Sequence, residues 1–224
     1  MGDVVSKLEE QLRRTLLPGM YVPEPLVALF HWIEENNLYY DQPTGERVGF
    51  LYPLDQIEEG WTEEERHGGT IIHFFAAGNA HLKHWFGHDR AEVLDRLCVF
   101  AKTGADGSKA ALWLAPNGEQ KIVHLGSGSG SQLVCVLAED PVDFIRLLAI
   151  GYDEIAWGEL FALPPHLNDS FLVYPNKKYQ QWVQSAFPGD IPQTALEIVK
   201  HPEYMDDEQS EDEFHQWVRG TSPD

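Results

Sequence analysis

A chain of 224 residues with 43% hydrophobic and 12% aromatic side chains has ample material for a packed core, which excludes intrinsically disordered, collagen-like and disulfide-scaffold classes. Its 36 Asp plus Glu against 16 Lys plus Arg leave a formal charge of −20. Binding to nucleic acid or to an anionic membrane surface rests on clustered cations, so both are excluded, and a partner drawn by charge is basic. The competing reading of that charge is plain solubility.

In chain order, Val5, Leu8, Leu12 and Leu16 recur at helical spacing until Pro18-Gly19, and a second helix starts near Pro23 and runs through Leu26, Val27, Phe30 and Ile33 to Asn36-Asn37. Asp41 to Gly60 is rich in turn formers, with GFLYPL as a short extended piece broken by Pro53, and Trp61 to Gly69 is charged and exposed. Ile71 to Ala77 has strand length, and Asp89 caps a helix through Val93, Leu94 and Leu97. Leu97–Ala101, Ala110–Ala115, Lys121–Leu125 and Gln132–Ala138 are apolar strands separated by short polar turns, Asn117-Gly118 among them, and connections this short predict an antiparallel meander. Asp140-Pro141 opens a helix that Gly151 closes. Residues 157–175 are loop-like with a short FLVY strand, and two more helices are predicted at Lys177–Phe187 and Pro192–Val199. From Glu203 to Glu213 seven of eleven residues are acidic and none is basic, so that stretch reads as solvated.

Cys98 and Cys135 sit inside apolar runs and read as reduced, buried thiols. No segment reaches the roughly 18 apolar residues of a spanning helix, and MGDVVSKLEE lacks a basic region followed by an apolar one, so the expectation is a soluble cytoplasmic protein. The run GSGSGS at 126–131 invites a phosphate-binding reading, but Ser131 stands where the dinucleotide fingerprint needs Gly, and a strand rather than a helix follows; it reads as a flexible strand connector. His67, His73, His81, His84 and His88 fall within 22 residues and could ligate zinc, although no Glu follows His84 as a metalloprotease helix demands and neither cysteine is near. Exposed or hydrogen-bonded histidines are the favoured reading, and no metal or cofactor is assigned. Neither a carboxylate dyad nor a nucleophile motif can be picked from spacing.

Residues 100 to 155, FAKTGADGSK through IGYDEI, resemble the SUKH superfamily, the Smi/Knr-like group. The likeness rests on the strand with Trp113, the VHLGS turn at Val123 to Ser127, and the helix from Asp143 to Ile155 with Phe144, Leu147, Leu148 and its Gly151-Tyr152 end. LYPLDQIEE at 51–59 resembles an earlier strand and turn. The resemblance implies an α+β fold, a single domain with a central, mainly antiparallel sheet flanked by helices, placed over 1–202; the acidic run read above makes 203–224 a flexible tail. It implies no enzyme and no site residues that carry over. Its bacterial members neutralise cognate toxins, frequently nucleases or deaminases, and a fungal member regulates cell-wall glucan synthesis. The segment Trp61 to Asp89 and the acidic C-terminus are additions to the family pattern.

The leading expectation is therefore an immunity protein that covers a basic toxin with an acidic surface. The alternatives are a regulatory scaffold of the glucan-synthesis type and a metal-dependent hydrolase using the His67 to His88 cluster. For partner binding the sequence nominates Glu63, Glu64 and Glu65 in the charged insertion and Glu203, Asp206, Asp207, Glu208, Glu211, Asp212 and Glu213 in the tail.

Overall fold

The computed structural model describes residues 5–168 and 170–221; the Met1-Gly2 start and the last three residues of the expected tail lie outside it. Helix α1 (Lys7–Thr15) is capped by Ser6, whose hydroxyl accepts from the Glu9 amide at 3.4 Å, and α2 (Glu24–Glu35) is entered through Pro23 and Pro25. Leu8, Leu12, Leu26, Phe30 and Ile33 are buried as their spacing predicts, with Leu29 beside them; Leu16 and Val27 are half-buried, and Val5, expected on the same face, precedes α1 and is exposed. A hairpin of β1 (Tyr39–Asp41) and β2 (Arg47–Gly49) follows, then one helical turn, α3 (Leu54–Ile57). Next come β3 (Glu65–His67), β4 (His73–Gly78), α4 (Leu82–Phe86) and α5 (Ala91–Leu94). The meander is β5 (Leu97–Lys102), β6 (Lys109–Leu114), β7 (Gln120–Leu125) and β8 (Val134–Ala138). The chain ends with α6 (Pro141–Ile150), β9 (Leu172–Tyr174), α7 (Lys177–Ala186) and α8 (Glu213–Thr221).

The main sheet has the order β1-β2-β4-β5-β6-β7-β8, antiparallel at every step, while β3 and β9 form a separate parallel pair. The fold is thus α+β with a mainly antiparallel sheet, as expected. Both faces of that sheet are covered. Cys98, Phe100, Leu112, Ile122, Cys135 and Leu137 pack with α1, α2, α6 and α7, whereas Leu97, Val99, Ala111, Trp113, Val123 and Val134 pack with α4, α5 and α8. Burial on both faces is why these strands read as continuous apolar runs instead of alternating ones. Both cysteines are free and buried in these runs.

Three predicted elements differ. The helix expected from Asp89 through Leu97 is only the four residues of α5, because Leu97 already pairs with Trp113 across β5 and β6. The helix expected at Pro192–Val199 is a single 3-10 turn, Ala195–Glu197, closed by a Thr194–Glu197 capping box. GFLYPL is not one extended piece: β2 ends at Gly49, and Pro53 leads into α3. Among the described residues no helix is long and apolar enough to cross a membrane.

Candidate functional site

The two acidic segments singled out in the sequence have different fates. The 203–213 stretch lies along β8, the last strand of the sheet. The Val134 amide donates to the Glu203 carbonyl at 2.8 Å, the Met205 amide to the Gln132 carbonyl at 2.9 Å, and Leu133 and Tyr204 form an antiparallel bridge. One residue pair further on, the Val136 amide donates to the Asp212 carboxylate at 2.9 Å. The outward amides of Val134 and Val136 on this edge strand are thereby satisfied from within the chain. Asp212 also accepts from the His215 amide at 2.8 Å, which fixes the start of α8, and burial pushes its carboxyl up.

Helix α8 then buries Phe214 against Trp113, with ring centroids 5.1 Å apart, while Trp217 stacks on Phe214 and meets Phe86 of α4 edge to face. His88 bonds the Thr221 carbonyl at 3.1 Å. The two segments read as additions to the family pattern thus build much of the second helical layer together. The expected solvated tail is corrected accordingly: Phe214, Trp217 and Val218 stand at i, i+3 and i+4, an apolar stripe that the preceding carboxylates conceal.

Of the nominated tail residues, Glu213 pairs with Lys121, Glu211 with His201 at 3.7 Å, and the Asp207 carboxylate accepts from the Tyr204 amide at 2.6 Å. Glu203 is half-buried and its carboxyl is pushed up, first by burial and then by neighbouring Asp207. A cleft of about 200 Å³ between this segment and the 198–201 stretch is crossed by the Lys200–Glu139 pair at 3.0 Å. Asp206, Glu208 and Glu211 remain exposed.

Glu63, Glu64 and Glu65 are all exposed, and none of the three forms a salt bridge among the described residues. They are nonetheless held in place. The Thr62 amide donates to the Glu65 carbonyl and the Glu65 amide to the Thr62 hydroxyl, both at 2.9 Å, while Trp61 bridges Arg66, so a tight turn carries the three carboxylates. Arg66 anchors this turn from below: its guanidinium lies between the Trp61 ring at 4.1 Å and the Phe171 ring at 4.5 Å, and 4.0 Å from Asp153. Burial, with Glu154 adding to it, raises the Asp153 carboxyl to about 6.

The five clustered histidines disperse. His67 stacks on Tyr52, and His73 packs edge to face on Phe50 at 4.8 Å, its pKa drawn down to about 4 by burial and by Lys102. His81 and His84 are exposed at α4, and His88 turns toward α8. Among the described residues no three His, Cys, Asp or Glu side chains gather as a metal site would require.

The GSGSGS connector is tied down and not loose. The Asp106 carboxylate accepts from the Ser127 and Ser108 hydroxyls at 2.7 and 2.8 Å and from the Ser131 and Ser108 amides at 2.7 and 3.1 Å. Sequence reasoning missed this latch; an Asp within a Gly-rich turn, ADGS at 105–108, is its only signal. Beneath it His124 is fully enclosed, bonded to Thr103 at 3.0 Å and to the Leu133 carbonyl at 2.8 Å, and burial lowers its pKa to about 4.

Compared with known proteins, the chain matches no protein-family model, no curated protein and no solved structure.

Proposed function

We propose that this protein is a non-enzymatic binding module of the cytoplasm that neutralises a basic toxin through an acidic surface, in the manner of the immunity members of the SUKH superfamily. The observation that carries the reading is the placement of Glu63, Glu64 and Glu65: consecutive, exposed, positioned by a tight turn, and without a cation of their own among the described residues. Carboxylates left unneutralised at fixed positions act on an approaching partner, whereas those spent on internal pairs do not. Nucleic-acid-degrading toxins carry basic substrate grooves, and a complementary acidic face raises the association rate and suppresses wrong partners. The net charge of −20 and the SUKH-like segment at 100–155 support the same reading.

The test is to express the open reading frames that flank the gene, co-express this protein with any toxin domain among them, and measure binding kinetics at low and high salt. Neutralisation, with association slowing as salt screens the acidic face, is expected. Lack of binding at low salt contradicts the proposal.

A further inference from the structure

In the β3–β9 pair, Glu65 lies opposite Leu172 and His67 opposite Tyr174, which places these four side chains on one face and Arg66 and Val173 on the other. Val173 is buried, yet Leu172 is 51% and Tyr174 44% exposed. Three rings run in succession here. Tyr52 stacks on His67 at 5.9 Å, His67 meets Tyr174 edge to face at 6.0 Å, and the Tyr174 hydroxyl donates to the Glu65 carboxylate at 3.3 Å.

Aromatic rings beside a carboxylate suit an organic cation, because the ring quadrupole attracts it and the carboxylate balances its charge. A guanidinium fits better than an ammonium, since it can lie flat on a ring while presenting its forked N–H groups to one carboxylate. The opposite face of the same two strands already holds such a group, the Arg66 guanidinium between Trp61 and Phe171.

We infer that the open face of β3 and β9 is an arginine-docking site. A basic protein partner seats one arginine on Tyr174 and His67 against Glu65, with an apolar neighbour of that arginine on Leu172, while Glu63 and Glu64 draw it in. A second copy of this chain does not fit the site, because two molecules of charge −20 repel. The inference rests on the binding reading above and names its point of contact.

The probe is the peptide acetyl-Arg-Leu-Arg-amide, titrated at low salt into the isotopically labelled full chain and followed by NMR, beside the same peptide with citrulline in place of arginine. Perturbations centred on Tyr52, Glu65, His67, Leu172 and Tyr174 with the arginine peptide alone are expected. Glu65→Gln and Tyr174→Ala should each weaken binding about three- to fivefold. Glu65 and Tyr174 are solvent-facing, and unchanged signals elsewhere verify that the variants fold. Equal response to citrulline, shifts scattered over the acidic surface, or no shift at the highest peptide concentration overturns the inference. A toxin that binds both variants as tightly as wild type also overturns it and leaves the immunity reading standing. Peptide binding as expected with no toxin bound removes the immunity reading alone.

Discussion

The acidic turn at 63–65 and the acidic stretch at 203–213 look alike in composition and serve opposite ends. In the stretch, the chain spends its backbone and several of its acids on itself: Asp212 caps a helix and satisfies an edge amide, the Glu203 carbonyl satisfies another, Glu213 takes Lys121, and Phe214 anchors the whole in a core, while Asp206 and Glu208 stay exposed. In the turn, the backbone is fixed by Thr62 and Arg66 while the three carboxylates stay exposed, Glu65 accepting from the Tyr174 hydroxyl. Charge density alone does not distinguish a surface made for a partner from a segment that completes the fold. What distinguishes them is what the segment does: the stretch covers a sheet edge and seats a helix, whereas the turn presents three consecutive carboxylates that no cation neutralises among the described residues.

Substitutions break or sharpen that contrast. The largest effect is expected for Phe214→Ala, which removes a fully buried ring beside Trp113 and should cost about 3–5 kcal/mol in urea unfolding. A dispensable tail would show no change. Asp212→Ala comes next, at about 2–3 kcal/mol, since it removes a helix cap and leaves the Val136 amide without its acceptor.

Acid should then weaken the fold through His124. Its folded pKa of about 4 lies below the ordinary value of 6.5, so the unfolded chain binds the proton first; the stabilising contribution is full above about pH 6.5 and is lost as pH falls toward 4, amounting to about 2 kcal/mol by roughly pH 5. His73 acts in the same direction. Asp153 acts oppositely, because its raised pKa makes the folded state prefer the protonated acid, so it returns some stability as pH falls through about 6. Unfolding midpoints measured between about pH 7 and pH 5 check the sum, and a fold more stable at the acid end contradicts the assignment. The smallest effect on stability, within about 0.5 kcal/mol, is expected for the triple variant Glu63→Gln, Glu64→Gln, Glu65→Gln, whose side chains form no ion pairs among the described residues.

The parts of the fold legible in the sequence are those where local signals agree. Helix α6 has its Asp140 cap, Pro141 in the first turn and a left-handed Gly151 at its end, and the β6–β7 turn has Asn117-Gly118 with Gly118 at φ +88°. The β1–β2 hairpin was hidden because its strands are three residues long, and β2 lies in a stretch that reads as turns. Helix α8 was hidden because its apolar stripe of Phe214, Trp217 and Val218 follows a dense run of acids that by itself favours solvation. The acids at 63–65 were legible as a charged segment, but their partner face was not: pairing β3 with β9 joins residues more than a hundred positions apart, and only that register sets Tyr174 beside Glu65.

The central claim is that the unpaired acids of the turn, and not acidity in general, meet the partner. The most direct measurement is the association rate of a toxin domain that the wild-type protein binds with the Glu63, Glu64, Glu65 triple Gln variant, compared with wild type across salt concentration. Association about tenfold slower at low salt, with the two proteins converging at high salt, is the predicted result. Equal rates at low salt would contradict it.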